Sequence, residues 1–464
     1  MSYMPVTDSM FLVAESREHP MHVGGLQLFT PPDGAGPDYV RSVVETMRAH
    51  TDVSSRFGRR PADPVGIVGN TWWTDVDSID VDYHVRHTAL PQPGRIRELF
   101  QMVSLWHETL LDRHRPMWEL QVIEGLEDGR FAIYSKVHHS LVDGVSALKY
   151  MTLSLSEDPN DMEGRVVWQP GLGKRAKPQE PAPAKPTGLF GVDPFGVAKQ
   201  AAGITGEVLG MVPASLKVVG NAFRDHDYMA PFQAPHTIFN VPIGGARRFV
   251  AQSYSLERID AIRRAAGATV NDVVLAMCGG ALRSYLAELG ELPDRSLTAM
   301  VPVNLRKEGD STDSNAVGTI IATLGTDIPD AADRLHMARD SVRAARRVMG
   351  ELSPMQVLAV SAANIAGLAP GLLPGYSGRT RPPFNLVISN VPGPRAPMYW
   401  NGSRLDGIYP ASIVLDGSAI NITISTNYDN LEFGIVACRT SVPHVQRLIH
   451  HLEDALSDLE KAFT

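Results

Sequence analysis

The residues best equipped to move a proton lie together in RFAIYSKVHHSLVDGVSALKYM, residues 130–151, where His138 and His139 are followed by Asp143 and Gly144. An imidazole ordinarily titrates close to neutrality, so it can accept the proton of an alcohol that is itself a very poor acid. A positioned base of this kind contributes roughly 10²–10⁴-fold. The rest of an acyl-transfer acceleration must come from holding both substrates and stabilising the oxyanion on the acyl carbonyl. Taken alone, the pair also fits a hydrogen-bonded histidine at a strand end.

The flanking residues say how the pair is held. Residues 131–137 have strand composition, Gly144 permits a sharp turn, and Val145, Leu148 and Met151 follow at helical spacing. The histidines therefore fall where a strand gives way to a helix. Consecutive strand side chains point to opposite faces, so one histidine should act and the other should pack. Asp143 can orient the loop through hydrogen bonds or an ion pair, or cap the helix, and the two roles are compatible. A metal held by His139 and Asp143 would need helical i,i+4 geometry, where the sequence indicates a strand end and a turn. A second pair, His450 and His451, stands among Glu453 and Asp454 and reads as a surface feature.

Other chemistries find less support. GYSG at residues 375–378 lacks the spacing of a nucleophile elbow, and neither a P-loop nor a GxGxxG occurs. Cys278 and Cys438 stand alone, without metal-ligand spacing, and read as small buried residues. The 43 Lys and Arg against 51 Asp and Glu give a charge of −8, which argues against a nucleic-acid partner. The opening MSYMPVTDSMFLVAE carries Asp8 and Glu15 and no basic leader, so a secretory signal is not expected and a reducing, cytoplasmic setting is. Residues 352–378 are uncharged but broken by Pro354, Asn364, Pro370, Gly371 and Pro374. They read as a buried helix and turn, or as a surface lying against a membrane, rather than as a span.

A chain of 464 residues should form two or three domains. Residues 1–165 alternate strands (22–29, 117–126) with helices (38–50, 95–111), and residues 166–237 form a Pro/Lys-rich linker with a connecting helix near 201–223. Residues 238–464 form a second mixed α/β region. There Ser255 and Thr269 are expected N-caps, Gly290 a helix stop, 297–303, 317–324 and 385–389 strands, and 421–437 a hairpin. A last helix is expected to open with Ser441 as cap and Pro443 in its first turn.

HHSLVDG, residues 138–144, matches the HHxxxDG motif of the CoA-dependent acyltransferase superfamily. RPMWEL (115–120) resembles the PLW-type motif of the bacterial wax ester synthase/diacylglycerol acyltransferase family, with Met117 for the usual Leu. TDSMFLVAE (7–15), DYHVRHTALPQPG (82–94), TVNDVVLA (269–276), VPVNLR (301–306) and SNVPGP (389–394) are similar to the same family in the same order, across nearly the whole chain. The resemblance implies a mixed α/β fold of two chloramphenicol acetyltransferase-like domains with an active-site tunnel at their interface. It makes His139 the general base, with His138, Asp143 and Gly144 supporting its loop.

Asn271 and Asp272 match the family's ND motif, Asn271 as a hydrogen-bond donor to substrate or oxyanion, or as a helix-capping residue. Ser425 and Thr426 are similar to the hydroxyl-bearing oxyanion positions of related enzymes. SNVPGP reads mainly as a turn and Trp118 as a core anchor. Acyl-CoA would be a co-substrate and diacylglycerol or a fatty alcohol the acceptor, with no metal or redox cofactor. Peripheral contact with the inner membrane or lipid bodies is consistent with such acceptors. A carrier-protein-dependent or condensation-type enzyme, and a non-catalytic lipid-binding protein, are the competing readings.

Overall fold

The computed structural model describes residues 2–62, 72–172, 228–304, 317–353, 356–357, 360–361, 364 and 381–464. The expected connecting helix, most of the linker, and the uncharged run beyond residue 364 lie outside the described residues.

The chain begins β1 (Ser2–Tyr3), α1 (Val6–Ala14), β2 (His22–Thr30), α2 (Tyr39–Arg48), β3 (Arg59–Pro61) and β4 (Trp72–Asp75). It continues α3 (Val81–His84), β5 (Val85–Ala89), α4 (Ile96–Glu108), β6 (Trp118–Glu124), β7 (Phe131–His138) and α5 (Gly144–Leu153). After the linker come β8 (Arg247–Ser255), α6 (Leu256–Ala265), α7 (Val270–Leu289), β9 (Thr298–Asn304), β10 (Val317–Thr323) and α8 (Ala331–Gly350). The last elements are β11 (Leu386–Val391), β12 (Tyr399–Trp400), β13 (Ser403–Ala411), β14 (Ile420–Asn427), β15 (Asn430–Cys438) and α9 (Arg447–Phe463).

Two six-stranded sheets carry the fold, ordered β12-β13-β2-β7-β6-β5 and β10-β9-β11-β14-β15-β8. Their membership does not follow the chain halves, because β12 and β13 leave the second half and pair on the outer side of β2. β2 thereby becomes interior, and all its residues but Thr30 are buried. Its Gly24 lies so close to β7 that a methyl group there would meet the Ser135 carbonyl oxygen at 2.8 Å and the Tyr134 hydroxyl at 3.0 Å. A shared apolar core joins the halves, with Leu26, Leu99 and Tyr134 in one cluster with Phe249 and Phe433.

Local signals placed most elements. Thr269 caps α7 through a reciprocal box with Asp272, and Gly290 ends it at φ 71°. Ser255 takes the N-cap position of α6 but makes no side-chain capping bond. The final helix starts at Arg447, not near Ser441: Ser441 and Pro443 belong to the preceding turn, where Ser441 Oγ is drawn to the Pro242 carbonyl and to Cys438. Leu448, Leu452, Leu456 and Leu459 form its buried stripe as the spacing predicts. No single described helix is long and apolar enough to cross a membrane.

Candidate active site

β7 ends on His138, which pairs in register with His22 of β2. The chain then turns, and buried Leu141 and Val142 pin the turn to the core while both of their amides donate to the His138 carbonyl, at 2.9 and 3.3 Å. The His138 and His139 amides donate to the Met117 and Met21 carbonyls at 2.9 and 2.8 Å. Backbone bonds from three segments therefore fix where each imidazole starts.

The two rings divide as strand alternation requires. His138 is fully buried. Its Nδ1 accepts the Ser140 amide at 3.1 Å and lies 2.7 Å from Ser140 Oγ, which puts the ring proton on Nε2. Nε2 stands 3.2 Å from Glu15 Oε1, off the line of a good hydrogen bond. The Glu15 carboxylate is 2% exposed and is held by Arg113, whose Nε and Nη2 donate to Oε2 at 3.0 and 2.8 Å. Burial raises the Glu15 pKa, but His138 and Arg113 outweigh it and keep the carboxyl ionised.

His139 keeps a small opening to solvent, with the Phe11 ring stacked on it at 4.0 Å and 22°. Burial pushes its pKa down to about 4, against an opposing pull from Asp143, so the ring is neutral at physiological pH. Nδ1 is sealed from solvent without a well-aligned partner, which leaves Nε2 as the nitrogen that a hydroxyl can reach.

Asp143 is the N-cap of α5, with Oδ1 accepting the Ser146 amide at 2.8 Å and Oδ2 the Ser146 hydroxyl at 3.1 Å. Both carboxylate oxygens are thus engaged in fixing the turn that follows His139. Gly144 corrects an expectation: its φ is not positive, and a methyl group there would meet only Val23 Cγ1, at 4.0 Å. The turn does not need glycine there.

Asn271 lies on the first turn of α7. It lines a cavity of about 550 Å³ that His139 does not border, and its Nδ2 is buried without a partner. Asp272, next to it, accepts the Thr269 amide at 2.9 Å and belongs to the helix cap. Thr426 lines the same cavity, whereas Ser425 is buried with its hydroxyl toward the Thr426 carbonyl, 3.3 Å away. Of SNVPGP, the first three residues finish β11, while Pro392 and Gly393 form part of the cavity wall. Trp118 is a core anchor, 2% exposed, with Nε1 donating to the Phe57 carbonyl at 2.9 Å.

Phe11, Glu15 and Arg113 belong to no chemical motif of the sequence by themselves. Phe11 and Glu15 sit in the opening TDSMFLVAE, whose Glu15 follows an apolar helix. That is the one local hint of a buried charge. His107 carries no motif of its own in the sequence: Nδ1 meets the Tyr134 hydroxyl at 2.7 Å, and Nε2 donates to the Ser412 carbonyl at 3.1 Å, tying α4 to the end of β13. Among the described residues no group of three or more metal-ligating side chains occurs.

Known proteins resemble this chain in sequence and in fold. Residues 4–274 match the wax ester synthase/diacylglycerol acyltransferase catalytic domain and residues 314–460 the C-terminal domain of the same family. The chain is 50% identical to a probable diacylglycerol O-acyltransferase of Mycobacterium tuberculosis, over 100% of this chain and 99% of that one. It is 40% identical to an O-acyltransferase of Acinetobacter baylyi, over 98% and 96%. The solved wax ester synthase/diacylglycerol acyltransferase of Marinobacter aquaeolei superposes with a TM-score of 0.79 at 40% identity, covering 100% and 99%. A condensation domain of the calcium-dependent antibiotic synthetase shares the fold, at TM-score 0.57 and 16% identity.

Proposed function

This chain belongs to the wax ester synthase/diacylglycerol acyltransferase family, and from that membership we propose that it transfers a long-chain acyl group from acyl-CoA to a lipid hydroxyl. Diacylglycerol is the acceptor in triacylglycerol synthesis, and a fatty alcohol is the acceptor in wax ester synthesis. The observation that carries the role of His139 is its neutral, partly open ring at the β7–α5 turn.

In this reading, Nε2 of His139 takes the hydroxyl proton as the acceptor oxygen bonds to the thioester carbonyl carbon. The tetrahedral oxyanion collapses, the carbon–sulfur bond breaks, and the imidazolium returns its proton to the leaving thiolate. The reaction transfers protons and an acyl group with no net oxidation or reduction, so it calls for no redox cofactor. Glu15, Arg113 and His138 form the wall behind the ring, and Asp143 holds the turn. The enzyme works from the cytoplasm against the inner membrane or lipid bodies, where such apolar acceptors reside.

The test supplies labelled palmitoyl-CoA with diacylglycerol, hexadecanol or water to the wild type and to His139→Ala. Ester formation should fall by about 10²–10⁴-fold in the variant while the fold is retained. Unchanged turnover would remove His139 from its role. Preference for an acyl-carrier protein over free acyl-CoA would favour the condensation-type reading.

A further inference from the structure

We propose that the cavity bordered by Arg346 and Arg395 seats the phosphate groups of the acyl donor, with Asn271 on its wall; this rests on the acyl-CoA reading above. Both arginines line the cavity of about 550 Å³, a volume suited to a nucleotide-sized group. Each side chain is exposed, and neither guanidinium has a hydrogen bond or an ion pair among the described residues. Many arginines elsewhere in this protein are paired, Arg258 with Glu453 and Glu460, for example. Two free guanidiniums at one cavity are therefore a concentration of unused positive charge in a chain of net charge −8.

The remaining lining agrees with an anion. Asp260 is the single carboxylate on the wall among the described residues, and its Oδ1 is already taken by Arg263 Nε at 2.7 Å. Asn271 offers a buried, unpartnered amide nitrogen, a donor with nothing to donate to. It lies on the first turn of α7, where amide groups add partial positive charge. Val270 and Leu431 supply an apolar surface beside these donors. Forked guanidiniums bind phosphate oxygens in bidentate fashion, and an apolar wall suits a purine or a pantetheine arm.

The decisive measurement is calorimetric binding of adenosine 3′,5′-bisphosphate to the full chain, beside Arg346→Gln, Arg395→Gln and the double variant. The wild type should bind with an affinity that falls as salt rises, and each substitution should weaken it about tenfold, the value of one charge-assisted phosphate contact. Both positions are exposed, so the variants should fold normally. In turnover, the double variant should raise the KM for palmitoyl-CoA and leave that for palmitoyl-pantetheine, which lacks the nucleotide phosphates, unchanged. Equal affinity in wild type and double variant, equal binding of unphosphorylated adenosine, or equally tight binding of inorganic pyrophosphate alone would overturn the proposal. A wild type that binds the bisphosphate in the expected way but forms no ester would defeat the acyltransferase reading and leave the phosphate site standing.

Discussion

The ring of Phe11 lies flat against the imidazole of His139, their centroids 4.0 Å apart and their planes 22° from parallel. Phe11 belongs to α1, and Glu15, the residue that ends this helix, faces His138. One short N-terminal helix therefore covers both histidines, shielding one with an aromatic face and the other with a carboxylate.

That stacking sets the first prediction. Because burial holds His139 at about 4, the acid limb of kcat/KM in the wild type should lie near pH 4 and the rate should be flat above it. Phe11→Ala admits water to the ring and should move the limb upward, toward the ordinary histidine value near 6.5. A pH–rate profile decides: a limb that stays in place while kcat falls would mean that Phe11 only packs.

Glu15→Ala should destabilise the fold by about 3 kcal/mol, since it strands the partly buried Arg113 guanidinium and leaves His138 without its carboxylate. Glu15→Gln keeps the shape and should lose less. Chemical denaturation of the three proteins checks the order, and an Ala variant as stable as the wild type would show that the network contributes nothing.

Asp143 offers a separation of roles. Asp143→Asn retains an acceptor for the Ser146 amide, so stability and most of the activity should survive. Asp143→Ala loses the cap and about 1 kcal/mol, with a larger fall in activity as the turn beside His139 loosens. Loss of activity in the Asn variant at full stability would instead show that the negative charge acts on His139.

Glu432 carries a pH signature. It is fully buried on β15; burial raises its pKa to about 7, partly offset by the Ser253 hydroxyl and by Asn427 Nδ2, 3.1 Å away. A carboxyl raised above its unfolded value of 4.5 binds more protons when folded, so its stabilisation is complete below about pH 4.5 and is lost as pH rises through 7. Glu432→Gln should match the wild type near pH 4.5 and exceed it in thermal stability at pH 8. Equal melting temperatures at pH 8 would contradict the raised pKa.

What depends on near neighbours is written in the order of the residues. Strand composition running into a turn and then into helical spacing located the β7–α5 junction, and the two-residue alternation of a strand meant that only one of His138 and His139 could face substrate. The Thr269–Asp272 cap and the Gly290 stop are likewise contacts a few residues apart, written in local chemistry. The family motifs named His139 as the active one.

What surrounds each ring came only from the folded chain. His138 packs because Glu15, more than a hundred residues earlier, arrives with Arg113, and the ring of His139 is covered because Phe11 arrives on the same helix. β13 has Gly407 and Pro410 within it and little strand character of its own, yet it forms along β2 and is tied there by the Thr30 hydroxyl donating to Asp406, 376 residues away. Side-chain periodicity encodes which face of an element turns inward. It carries no information about which distant segment will meet that face, because that choice rests on the summed burial of both partners.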